Sequence, residues 1–178
     1  MTTARAMSTA VLALLAVALV GCTAVEPASD FDRGPKAGAA TGEGVALLVG
    51  VEISQTAEAD RIAFHFQGDG APAFRAAYVE PPIVEDGSGN PVEIAGERFV
   101  EIRMEPASGA DLSGPELVIT YPGPHQLPGP AGGVVREAAR TGDFEAVLTW
   151  VVGADREVPF RVWSDTGPGR IVVEFARR

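Results

Sequence analysis

Between Thr141 and Trp163 the apolar side chains fall on every second residue. Phe144, Ala146, Leu148, Trp150 and Val152 share one parity, and Glu145 and Thr149 fall on the other. A period of two places alternate side chains on one face of an extended strand, so this stretch predicts a strand with one buried face. Gly153-Ala154-Asp155-Arg156 reads as a turn, after which Phe160 and Val162 resume the alternation and complete a β-hairpin. A related arrangement comes earlier: Arg61 to Phe66 is followed by Pro72-Ala73-Phe74-Arg75, which parallels Val158-Pro159-Phe160-Arg161. The chain therefore reads as a duplicated β unit.

The remaining segments fit that plan. Val45, Leu47, Val49, Val51 and Ile53 alternate as a first strand, and Ile62, Phe64 and Phe66 as a second. Phe74 to Val79 follows and stops at Pro81-Pro82, since proline donates nothing to a ladder. Phe99 to Met104, a short run from Leu117 to Tyr121, and Ile171, Val173 and Phe175 supply further strands. Val134 to Arg140 admits two readings, a two-turn helix closed by Gly142 or a strand; the strand is preferred because its counterpart, Val49 to Ser54, reads as one. No other segment sustains a 3.6-residue period. Short strands punctuated by Pro and Gly predict an all-β fold, an antiparallel sandwich or barrel, over residues 45–178. Phe64, Phe66, Phe74, Tyr78, Trp150 and Phe160 are assigned to the core by parity.

The beginning of the chain reads as a targeting segment. Arg5 is the only charge before the apolar run Ala10 to Val20, which is shorter than the ~20 residues a membrane-spanning helix needs. The run ends in Leu19-Val20-Gly21-Cys22, which resembles the bacterial lipobox, and Cys22 is the chain's only cysteine. That resemblance implies a signal peptide over 1–21, lipidation of Cys22 and an extracytoplasmic, lipid-anchored protein. A single cysteine excludes an intramolecular disulfide. Residues 22–44, rich in Ala, Gly and Pro, read as a flexible linker.

Charge and composition narrow the function. The chain has 14 Lys+Arg against 24 Asp+Glu, a net of −10, and Lys36 is its one lysine. Loss of residues 1–21 would remove Arg5 and leave 13 cations against 24 acids, or −11. Such a chain is a poor match for a phosphate backbone, so nucleic acid is not an expected partner. His65 and His125 form no closely spaced ligand pair, no Gly-x-Ser-x-Gly elbow is present, and no two carboxylates stand out. Asp86, Ser88, Asn90 and Glu97 have the spacing of a calcium loop, but Pro91 stands where that loop needs glycine. The expectation is a non-enzymatic protein with no metal and no cofactor.

Asp60 to Phe66, Asp86-Gly87-Ser88-Gly89, Tyr121-Pro122-Gly123-Pro124, Gly142 to Trp150 and Pro159-Phe160-Arg161-Val162 together resemble the AMIN-like domain of bacterial lipoproteins. The family often has Pro-Arg before its last strand and Val-Asp at its end, where this chain has Pro168-Gly169-Arg170 and Glu174-Phe175. AMIN domains proper are β-sandwiches of two similar sheets that target amidases and secretins to peptidoglycan or the septum. The resemblance implies that fold and a place in the cell envelope. Two functions are compatible with it: a module that binds or positions at peptidoglycan, and a lipoprotein adaptor that docks an envelope enzyme or secretion complex through a sheet edge. For wall binding, the expected contact residues are Arg161 and Trp163 on the outward parity, Arg75 at the repeat-related position, and Tyr121 beside the Pro-Gly-Pro loop. Aromatic rings stack on sugar faces, and guanidinium forks suit carboxylates.

Overall fold

The computed structural model describes residues 30–178, so Cys22 and the predicted signal peptide lie outside the described residues. The chain runs through β1 (Lys36–Gly38), β2 (Ala46–Gln55), β3 (Ala59–Phe66), β4 (Ala73–Val79) and β5 (Arg98–Glu105). Four short strands follow: β6 (Ala107–Ser108), β7 (Ala110–Asp111), β8 (Val118–Ile119) and β9 (Gln126–Pro128). β10 (Val135–Phe144), β11 (Val147–Ala154), β12 (Phe160–Asp165) and β13 (Arg170–Ala176) complete it, and no helix forms among the described residues. Val134 to Arg140 is thus a strand, the preferred reading of its sequence.

Two sheets enclose the core. The front sheet has the order β12-β13-β3-β2-β6 and the back sheet β1-β4-β5-β11-β10-β9. Every pairing in them is antiparallel except β2 with β6. The duplication shows in this order. In the first half the hairpin β2–β3 lies in the front sheet and β4–β5 in the back; in the second half β10–β11 lies in the back and β12–β13 in the front. Each half thus contributes one hairpin to each sheet, and the inner strands β3–β13 and β5–β11 join the halves.

This exchange corrects the hairpin expected over Thr141 to Trp163. β11 and β12 belong to opposite sheets, and β11 instead makes a hairpin with β10. The reversal falls at Glu145 and Ala146, with φ of 50° and 59°, the left-handed pair that a two-residue hairpin turn needs. Residues 155–159 carry the chain across to the front sheet. Val158 is buried there, and the Tyr78 hydroxyl donates to its carbonyl at 2.7 Å and accepts from its N–H at 3.0 Å. The matching crossing before β4 is fixed in the same manner by Thr41, whose hydroxyl accepts from Ala71 N–H at 2.8 Å. Each crossing is thus pinned by a side-chain hydroxyl on its backbone.

The inner faces meet in a core that includes Phe64, Phe66, Phe74, Trp150, Phe160 and Phe175. Trp150 is fully buried, edge-on to Phe64 at 5.6 Å and to Tyr121 at 6.0 Å between ring centroids. Simple parity fails in three places. A bulge in β2 between Leu48 and Gly50 shifts the pleat, so Leu48 is buried while Val49 is 44% exposed. Phe144 sits at the hairpin end and is 66% exposed rather than in the core. β11 is covered on both faces, because the excursion between β4 and β5 lies over its outer side. There Asp86 accepts from Thr149 Oγ1 at 3.0 Å and Glu97 N–H donates to Ala154 at 2.7 Å.

The linker expectation over 22–44 is corrected for residues 32–41, while residues 22–29 lie outside the described residues. Asp32 exchanges backbone hydrogen bonds with Phe160 on β12, and β1 pairs with β4, so residues 32–41 form a strap from the front-sheet edge to the back-sheet edge. Lys36 points inward over the Phe160 ring, 4.7 Å from its centroid, and donates to Asp32 Oδ1 and Gly34 O, both at 2.6 Å. The lysine hydrogen bond holds the Asp32 carboxyl below its usual range. Backbone pairing makes the strap, and such pairing leaves no hydrophobic period to read in Lys36-Ala37-Gly38.

Candidate functional site

The outer face of the front sheet carries a connected polar and aromatic surface. Alternation along β13 turns Ile171, Val173 and Phe175 into the core and Val172 and Glu174 outward. Register then sets Glu174 between Arg161 on β12 and Arg61 on β3. Glu174 Oε1 accepts from Arg61 Nε at 2.7 Å and Nη2 at 2.5 Å; Oε2 accepts from Arg161 Nε at 2.7 Å and Nη2 at 2.6 Å. Glu174 is only 2% exposed, and this double fork satisfies a carboxylate that would otherwise be costly to bury.

One row further along, Trp163 lies over both guanidiniums, 5.4 Å from Arg161 and 5.7 Å from Arg61. Phe31, just before the strap, places its ring centroid 4.6 Å from the Arg161 guanidinium. The Trp163 indole N–H donates to Asp165 Oδ1 at 3.1 Å, and Arg170 donates to Asp165 Oδ2 at 2.7 Å. These bonds hold the half-buried Trp163 ring in one orientation. Three guanidiniums (Arg61, Arg161, Arg170) meet two carboxylates (Glu174, Asp165), so the cluster has a +1 surplus on a chain of −10. It offers an aromatic face beside guanidinium N–H groups, the pairing that suits a sugar ring and a neighbouring carboxylate.

Of the expected contact residues, the structure brings Arg161 and Trp163 together and separates the others. Arg75 is on the outer face of the back sheet, directly opposite Arg103. Tyr121 is 5% exposed, packs on Trp150, and donates its hydroxyl to Pro124 O at 2.9 Å, so it offers no surface to a ligand. Burial also raises its phenol pKa above the usual value. Arg61, Glu174 and Phe31 are the members that sequence reasoning missed. Alternation on β13 turns Glu174 outward, but only the register shows that it lies between two arginines. The Arg161 side chain is 17% exposed and Arg61 38%, so Arg61 presents more of its guanidinium to solvent.

A family model for the AMIN-like domain matches residues 46–177, from the start of β2 almost to the end of the chain. The chain belongs to the AMIN-like domain family. No curated protein and no solved structure matches it. Membership places this AMIN-like protein in the extracytoplasmic cell envelope. The match spans both halves of the duplicated sandwich and leaves the strap outside it.

The AMIN-like domain carries one other conspicuous surface. Val45, Leu112 and Phe144 are 47%, 72% and 66% exposed, and with Leu47 and Ala110 they line an apolar groove beside the β10–β11 turn. Leu117, Val118 and Ile119 are also exposed nearby on and before β8.

Proposed function

We propose that this protein is a non-catalytic, lipid-anchored module that binds or positions at peptidoglycan, with the front-sheet face as its contact surface. The observation that carries the reading is the Trp163 ring fixed over the Arg61–Glu174–Arg161 fork. It is a rigid aromatic and cationic platform on an otherwise acidic domain. Peptidoglycan supplies sugar faces for the ring and peptide or lactyl carboxyl groups for the free guanidinium N–H groups. Net negative charge repels anionic wall polymers at long range, so contact here is weak and short-range.

Co-sedimentation with insoluble peptidoglycan tests the reading. Trp163→Ala removes a half-buried ring without stripping Glu174 of either arginine, so the fold stays intact. The expected result is a loss of about tenfold or more in bound protein, in line with the ~1–2 kcal/mol of an aromatic contact. A folded Trp163→Ala protein that sediments like the wild type contradicts the proposal.

The anchor is assigned to Cys22. Two ester-linked chains on one cysteine give stable attachment, whereas a single chain is marginal. Cys22→Ser is expected to shift the protein from the membrane fraction to the medium, or to leave an uncleaved precursor on a gel. Unchanged fractionation and migration count against the anchor.

A second reading, an adaptor that docks an envelope enzyme or secretion complex, draws on the apolar groove at Val45, Leu112 and Phe144. Under that reading the protein pellets with peptidoglycan only when its partner is present.

A further inference from the structure

The internal duplication provides a control for a second surface. Phe74 and Arg75 on β4 occupy the positions of Phe160 and Arg161 on β12, and Met104 and Arg103 on β5 those of Phe175 and Glu174 on β13. On the front sheet, therefore, the residue opposite the repeat-related arginine is a carboxylate; on the back sheet it is Arg103. Directly opposed like charges on neighbouring strands are unfavourable. Among the described residues Arg75 takes part in no ion pair, and Arg103 has only Glu105, at 3.9 Å from its Nε.

The two arginines border a shallow groove whose other walls are mostly small. Ala37 and Gly38 of β1 and Ala73 of β4 line it, together with the largely buried Phe74. Gly38 packs so closely on the Phe74 ring that an added Cβ would come within 2.3 Å of it. That contact lies on the core side of β1; on the outer side the residue registered with Arg75 is Ala37, which is small. Glu105 lines the same groove and its side chain is 61% exposed. Glu101 lies two residues before Arg103 on the same strand face. Asp86 is already engaged with Thr149.

We propose that this groove binds an amino-acid end group, a carboxylate with an ammonium on the adjacent carbon. The carboxylate bridges Arg75 and Arg103, which face each other across β4 and β5 at the register positions where the front sheet pairs Arg161 with Glu174. The ammonium faces Glu105. That acid, with Glu101 close by, disfavours a simple dianion and favours a zwitterion. Free amino acids have this chemistry, and so does a wall-peptide side chain that ends in a free α-amino acid group, whereas an ordinary peptide terminus carries only one of the two charges. The site is independent of the front-sheet face and does not require it to bind the wall.

The test is titration of the full chain with glycine, N-acetylglycine and glycinamide, followed through the arginine Nε–H resonances. Glycine is expected to shift Arg75 and Arg103, with N-acetylglycine and glycinamide each weaker by about fivefold or more. Arg75→Gln is expected to reduce glycine affinity about tenfold without loss of fold. Arg103→Glu, which reproduces the Glu174 position, is expected to abolish binding and raise the melting temperature. Soluble peptidoglycan fragments whose peptide side chains end in a free α-amino acid group identify the source. Tighter binding than glycine, lost in Arg75→Gln, points to the wall; binding of glycine alone points to free amino acids. N-acetylglycine binding as well as glycine, or wild-type affinity in Arg75→Gln, overturns the proposal. Loss of co-sedimentation with insoluble peptidoglycan in Trp163→Ala, with glycine binding retained, separates the two faces.

Discussion

Trp150→Ala is expected to lower stability by about 3–5 kcal/mol, measured by denaturant unfolding, as a large-to-small change at a fully buried site. The ring is edge-on to Phe64 of the opposite sheet and to Tyr121 of the loop that closes one end of the sandwich. Its removal thus opens a cavity against both. The indole N–H has no hydrogen-bond partner among the described residues, so Trp150→Phe loses volume and no polar contact, and should cost clearly less than Trp150→Ala. Glu145→Ala is the control. Glu145 is exposed at the β10–β11 turn with φ of 50°, and the change is expected to stay within about 0.5 kcal/mol. Equal losses at 145 and 150 would mean that the core is not organised around this ring.

Glu174→Ala is the second large effect, expected at about 3–5 kcal/mol, because it removes one partner of a buried ionic cluster. Two guanidiniums that share one carboxylate are then left facing each other across the gap. Arg161 suffers most, since its side chain is only 17% exposed, while Arg61 turns more readily to water. The double change Arg161→Met with Glu174→Met replaces the more buried pair by apolar groups of similar reach. It is expected to be appreciably more stable than Glu174→Ala. A Glu174→Ala protein with wild-type stability would show that the fork is not formed in solution. This coupling makes Trp163→Ala the cleaner probe of the binding face: Arg161→Ala disturbs fold and surface together.

Much of the sandwich was legible because its central strands have one core face with a clear period. Ile62, Phe64 and Phe66, and Ile171, Val173 and Phe175, announce their faces directly, and all six are buried. The repeat was legible too, through Pro72-Ala73-Phe74-Arg75 and Val158-Pro159-Phe160-Arg161. What the repeat did not reveal was the exchange of hairpins between sheets. Strand partners are non-local, and Glu145-Ala146 lacks the Asn-Gly or Asp-Gly signature of its turn. The Val49 bulge inverts a parity that a one-residue slip cannot show in sequence. At the site, Arg161 and Trp163 were found by outward parity on one strand. Arg61 and Glu174 were not, because they reach the cluster through the registers of β3 and β13, more than 100 residues apart in the chain for this pair. Tyr121 was misplaced for a related reason. A Pro-Gly-Pro loop suggests surface, yet the ring before it folds inward to cap Trp150.

The chain's two tryptophans allow the central claim, that the outer front-sheet face meets the wall, to be tested in a single spectrum. Trp163 lies on that face and Trp150 is fully buried in the core, so the two indole N–H resonances report surface and interior separately. Titration with soluble peptidoglycan fragments is predicted to shift the Trp163 indole signal progressively while the Trp150 signal stays fixed. A Trp163 resonance that does not move, at fragment concentrations where the protein is shown to bind, would contradict the assignment of this face.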